Sequence, residues 1–151
     1  MVLSEGLASR LMEFVALLAE GVERWNEWRS QHPLIPCTLA GQDLSNGYFF
    51  ECNFTGVDLS GADFQRACLI GADLRWANLS RTNFSGAYLG EATLEGAKIN
   101  GANFAYADIE RTTFPRWHPM ATKSSVVNAP PTKTRKIYAA SPQVARIRVQ
   151  T

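Results

Sequence analysis

From Leu39 to Phe114 every fifth residue is Leu, Phe or Ile: Leu39, Leu44, Phe49, Phe54, Leu59, Phe64, Leu69, Leu74, Leu79, Phe84, Leu89, Leu94, Ile99, Phe104, Ile109 and Phe114. Sixteen positions follow the rule without a miss. These three residue types fill 28 of 151 positions, so chance agreement in one register is on the order of 10⁻¹². An α-helix repeats every 3.6 residues and a strand every 2, so neither puts a period of five on one face. The pattern demands a repeat architecture, in which each unit buries its apolar residue only by stacking on its neighbours.

The flanks of each central residue are equally regular. Two positions earlier the residue is small: Ala nine times, with Cys37, Gly47, Cys52, Val57, Thr82 and Thr112 as near equivalents and Gln42 as the bulky polar departure. The position just before the centre is Asp or Asn nine times, and Gly stands two after it seven times. The runs "GADLRWANLS" and "GANFAYADIE" show the full pattern. These residues resemble the pentapeptide-repeat family, whose consensus is A(D/N)LXX, over residues 37–116. The resemblance implies an all-β solenoid, a right-handed quadrilateral β-helix in which each pentapeptide forms one side and twenty residues make one coil. The segment then holds about four coils and, at a strand spacing of about 4.8 Å, is roughly 19 Å long.

Taking every twentieth residue gives four interior columns: Leu39-Leu59-Leu79-Ile99, Leu44-Phe64-Phe84-Phe104, Phe49-Leu69-Leu89-Ile109 and Phe54-Leu74-Leu94-Phe114. They define sides one to four. Each is uniform in size, a regularity that the period of five does not itself impose. The frequent Asp and Asn are expected to line the walls and hydrogen-bond backbone, since short polar side chains favour turns.

Residues 1–36 form a helical cap and leader. Leu7, Leu11, Phe14, Leu18, Val22 and Trp25 make one apolar face over a helical segment 4–31. Ser4 is the expected N-cap, Gly21 divides the segment, and Pro33 ends it at His32. This face is expected to cover the open edge of the first coil. The stretch "GVERWNEWRSQHPLIP", through Trp25, Asn26, Trp28, Arg29 and Pro33, also resembles a leader that precedes repeats in cyanobacterial members of the family.

After Phe114 the period fails, and Pro115 and Trp117 are expected to close the last coil. Residues 117–151 form a basic tail containing Pro, Ser and Thr that is expected to be disordered alone. Its candidate contacts are Lys123, Lys133, Arg135, Lys136, Arg146 and Arg148. The net charge of +1 conceals this asymmetry: residues 1–36 carry −2, residues 37–114 carry −4, and residues 115–151 carry +7. The tail could meet an acidic partner, an anionic surface or nucleic acid. Beyond residue 117 it holds one aromatic, Tyr138, which gives little for bases to stack on.

Cys37, Cys52 and Cys68 cannot all pair and lack zinc-knuckle spacing, so free thiols in a reducing, cytoplasmic setting are expected. The longest apolar run near the N-terminus is only six residues, Phe14 to Ala19, between Glu13 and Glu20, too short for a signal peptide or a transmembrane segment. Catalysis needs convergent polar groups in a cleft. Here there are two histidines, His32 and His118, and no phosphate loop or nucleophile motif. No catalytic residue, cofactor or metal is expected.

Function should then lie on the outer walls. Sides one and two carry ordinary polar columns, and side four is polar apart from Trp76 at a corner. Side three differs: its outward columns read Tyr48-Cys68-Tyr88-Asp108 and Phe50-Ile70-Gly90-Glu110. Tyr48, Phe50, Cys68, Ile70 and Tyr88 form one apolar patch, the candidate interaction surface, unless the N-terminal helix or the tail folds over it. A non-catalytic scaffold for an unknown protein partner or a homodimer is the leading expectation. The alternative is a DNA mimic acting on DNA gyrase, as the resemblance to some family members implies. A body of only −4 matches one charge per about 1.7 Å of duplex poorly.

Overall fold

The computed structural model describes residues 2–115, with side chains from residue 10 onward. Trp117, His118 and the six basic tail residues lie outside the described residues.

Two helices lead into the repeats: α1 (Val2–Ala19) and α2 (Val22–Gln31). Gly21 separates them as expected. Its φ of 120° is open to glycine and strained for other residues, and its carbonyl accepts the first α2 bond, from Trp25 N–H at 3.1 Å. Ser4 is not the N-cap, because α1 already runs from Val2. Neither Val2 nor Leu3 interrupts a helix, and serine is tolerated within one. Helix α2 stops at Gln31, one residue before the pre-proline His32.

Residues 38–114 form a solenoid. Twelve parallel bridges join residues twenty apart, in columns such as Thr38–Asp58–Asn78–Lys98 and Tyr48–Cys68–Tyr88–Asp108. Each is an isolated one-residue bridge, and no longer β-strand forms among the described repeat residues. The reason is a turn in every pentapeptide. The residue two after each centre has φ between 53° and 72°, from Gly41 to Arg111. Seven of the repeat positions use Gly, but Asn46, Glu51, Arg66, Trp76, Arg81, Glu91, Tyr106 and Arg111 adopt the same left-handed conformation. That conformation is what a type II turn requires at its third residue.

The unit Leu59–Asp63 shows why these residue types recur. Leu59 N–H donates to Asn78 O of the next coil at 2.9 Å, and Gly61 N–H to Ser80 O at 2.9 Å. Ala62 N–H closes the turn on Leu59 O at 3.0 Å, and Asp63 N–H reaches back to Gln42 O at 2.9 Å. The fifth donor, Ser60 N–H, is taken by the Asp58 carboxylate at 3.1 Å. All five backbone donors of the unit are thus satisfied, as a buried backbone requires. All nine Asp and Asn residues that stand just before a central residue make this bond to the N–H two residues on.

Inside, the four columns are buried from Leu39 to Leu94, and only Ile99, Ile109 and Phe114 at the far end are partly exposed. On side two Phe64, Phe84 and Phe104 stack nearly parallel, with ring centroids 5.4 and 5.1 Å apart. The small positions are buried too from Cys37 to Ala97, apart from Gln42. The Thr82 hydroxyl donates to Leu59 O at 2.8 Å, which lets a polar side chain stand among alanines.

Asn83 sits at the centre of a ladder on side two. It accepts from Ser85 N–H, donates to Asp63 and accepts from Asn103. Asn83→Ala removes all three bonds at a half-buried position, so a loss of about 1–3 kcal/mol is expected in urea denaturation. A cost near zero would show that water replaces the ladder.

Candidate interaction surface

The cap decides which surfaces are free. Helix α2 lies on the edge of the first coil at side four, where its side chains replace the missing neighbouring coil. The Trp25 indole donates to Asn53 O at 2.7 Å, Asn26 accepts from Asn53 N–H at 2.8 Å and donates to Glu51 O at 3.0 Å, and Arg29 donates to Thr55 O at 2.7 Å. Arg29 is buried and also reaches Ile35 O and the Cys37 sulfur, each at 3.2 Å. Helix α1 adds Phe14, Val15 and Leu18 to the core, with Phe14 edge-on to Trp28. The helices thus meet the first coil through hydrogen bonds to backbone as much as through apolar burial.

The cap leaves side three uncovered. Tyr48, Phe50 and Tyr88 are 45%, 42% and 37% exposed, and Cys68 and Ile70 are intermediate. The bridges Tyr48–Cys68 and Cys68–Tyr88 place the five candidates on adjacent coils of one wall. The tail's candidate contacts lie outside the described residues.

Side three also departs from the hydrogen-bond scheme of the other walls. Tyr48, Cys68 and Tyr88 occupy the position where Asp or Asn would cap the N–H two residues on. Among the described residues no side-chain oxygen reaches Phe50, Ile70 or Gly90 N–H; the cap returns at Asp108, which holds Glu110 N–H at 3.2 Å. A neutral cap is worth about 1 kcal/mol, so this wall forgoes that stabilisation at Phe50 and Gly90, while the Cys68 sulfur, a weaker acceptor, takes Ile70 N–H. Asp73 on side four illustrates the polar kind. Burial opposes its ionisation, but Arg75, 2.6 Å away, and its backbone N–H hold the carboxyl below its usual range.

Two exposed aromatics lie at corners. Trp76, already singled out by its sequence, covers Gly96, where any Cβ would collide with the ring. Tyr106, which sequence reasoning passed over, is 79% exposed at the corner between sides two and three. Its register, two after Phe104, was the available signal.

The three cysteines are free thiols, as expected. Burial pushes all three up: Cys52 furthest, Cys37 against the pull of Arg29, and Cys68 against a bond from Ile70 N–H. His32 stacks on Trp28 with centroids 4.7 Å apart, and its Nδ1 lies 3.0 Å from Trp28 O, a structural placement within the leader. Among the described residues no cluster of three or more His, Cys, Asp or Glu could hold a metal ion, and no helix is long and apolar enough to cross a membrane.

A solenoid with this register and this repeat defines a family. The model for pentapeptide repeats matches residues 37–75 and 77–114 in eight copies, and the chain belongs to that family. Comparison with curated protein sequences gave no match. Among solved structures the chain is similar to HetL, a pentapeptide repeat protein involved in heterocyst differentiation regulation from the cyanobacterium Nostoc sp., at 29% identity and a TM-score of 0.32 over 52% of this chain and 39% of that one. It is also similar to QnrB1, a plasmid-mediated fluoroquinolone resistance protein, at 28% identity and a TM-score of 0.39 over 50% of this chain and 39% of that one. A third is Rfr23 from the cyanobacterium Cyanothece, at 29% identity and a TM-score of 0.23 over 51% of this chain and 56% of that one. The chain spans about two fifths of the length of HetL and of QnrB1.

Proposed function

We propose that the chain is a non-catalytic scaffold that binds a protein partner through side three. The observation that carries this reading is the exchange made on that wall: Tyr48, Cys68 and Tyr88 stand where capping residues would stabilise the coil, and they expose a contiguous apolar surface. Exposed aromatic patches of this kind are typical of interfaces. The same reading divides the chain into residues 1–36 as cap and leader, 37–116 as a right-handed four-sided β-helix of about four coils, and 117–151 as a basic tail. It places the protein in the cytoplasm of a cyanobacterial-type cell.

Tyr48→Ser with Ile70→Ser tests the proposal. The double variant should keep its circular dichroism spectrum and lose at least tenfold in affinity for the partner, or in self-association if the partner is a second copy, by analytical ultracentrifugation or calorimetry. Global unfolding of the variant would refute the reading, because it would make the patch part of the core. DNA mimicry has less support: Asp58 and Asp63 each serve as a backbone cap and also accept from an Asn one coil away, which dilutes their charge as a phosphate substitute.

A further inference from the structure

We propose that the cleft between the two cap helices binds a small organic cation, an ammonium carried on an apolar or aromatic body. The cleft shares no lining residue with side three and has a volume of about 440 Å³, within the range of small-molecule sites. Phe14 and Leu17 of α1, Trp28 of α2 and Ile35 of the leader supply its apolar lining. Trp28 is held in place by Phe14, edge-on at 5.5 Å, and by the stacked His32 ring at 4.7 Å. The body of the ligand therefore meets a surface that is already ordered, which spares the cost of ordering it on binding.

The polar side chains at the cleft are all acceptors. Glu13 and Glu20 line it, seven residues apart and so on one face of α1. The third is His32. Its Nδ1 lies 3.0 Å from Trp28 O, which can only accept, so Nδ1 carries the proton and Nε2 of the neutral ring is an acceptor. The backbone adds to the same sign. Leu17 lies in the last turn of α1, where the helix dipole is negative, and that turn holds no basic residue to answer it.

The nearby cations leave this charge uncompensated. Arg24 is shared between Glu20 at 3.4 Å and Glu27 at 3.0 Å, and Arg29 is directed to Thr55 O and Ile35 O. Among the described residues Glu13 has no ion-pair partner, although Arg10 stands one turn before it. An anionic ligand would meet two carboxylates and a negative helix end, and a neutral one would gain nothing from them. An ammonium brings donors and positive charge to acceptors that carry the opposite sign.

Phenethylammonium is the probe, titrated into the full chain and followed by NMR or calorimetry. A probe of this size is expected to bind with a Kd of about 1 mM. Phenylacetate, similar in shape and opposite in charge, should bind about tenfold more weakly, and uncharged 2-phenylethanol about fivefold more weakly. Glu13→Gln, at an exposed position, should weaken phenethylammonium about threefold or more and leave 2-phenylethanol unchanged. Ala16→Trp, also at an exposed lining position, should crowd the cleft and abolish binding of both while keeping the circular dichroism spectrum. Equal affinity for the three probes would overturn the proposal, because the cleft would then be an apolar groove without charge recognition. Phenethylammonium binding that both variants leave intact would overturn it by placing the cation elsewhere. So would the absence of saturable binding at about ten times the expected Kd.

Discussion

Phe84→Ala is expected to lower stability by about 3–5 kcal/mol, a large share of the roughly 5–15 kcal/mol that holds a typical domain folded. Phe84 is fully buried and stacked between Phe64 and Phe104, at 5.4 and 5.1 Å. The neighbouring coils cannot close onto the gap, because their spacing is set by backbone bonds such as Phe64 N–H to Asn83 O at 2.8 Å and Phe84 N–H to Asn103 O at 2.7 Å. The cavity therefore persists and adds to the lost transfer energy. Phe84→Leu should cost much less, about 1.5 kcal/mol or under, because leucine already fills the equivalent place on sides one and four. Urea midpoints for the two variants decide the matter. A cost below about 1 kcal/mol for Phe84→Ala would mean that the interior relaxes and the stack contributes little.

Trp25→Ala should be comparably damaging, at about 3–5 kcal/mol, but with a different spatial signature. Trp25 is fully buried, its ring centroid lies 5.8 Å from that of Phe54, and its N–H serves Asn53 O. Removal exposes the edge of the first coil and orphans a carbonyl that no neighbouring coil can satisfy. In a solenoid each coil is stabilised chiefly by those beside it, so damage should spread from the site. Hydrogen exchange should show protection lost first at Leu39, Leu44, Phe49 and Phe54, with Leu79 and Phe84 holding longer. Trp25→Phe, which keeps a ring and loses the donor, should cost about 1–3 kcal/mol. Uniform loss of protection from all coils would show instead that cap and coils unfold as one unit.

The solenoid could be read from sequence because its period leaves no other solution. A side chain at every fifth position cannot be buried by a helix or a strand, and the twenty-residue columns match the bridges that form. The role of Asp and Asn was equally legible, since a short acceptor two residues before a free N–H needs no tertiary information. Side three followed from register alone.

Other features carry no local mark. The glycines signal seven left-handed turns, but nothing in Glu51, Arg66 or Trp76 announces the same conformation; the coil imposes it. Arg29 looks like an ordinary surface cation on a polar helix, yet it is buried, because Thr55 O and Ile35 O at the coil edge need a donor that reaches both. Such pairings depend on where the helix meets the first coil, which periodicity does not encode.

The twenty-residue register also turns length into rotation. Because each pentapeptide turns the chain by one wall, five residues inserted after Trp76 would carry Tyr88 from side three to side four, away from Tyr48 and Cys68, while every interior position stayed filled. Insertion of twenty would restore the alignment and move Tyr88 one coil further along the axis. Indels in this chain therefore act as a dial. Multiples of five preserve folding but scramble the face, multiples of twenty preserve both, and any other length breaks the core.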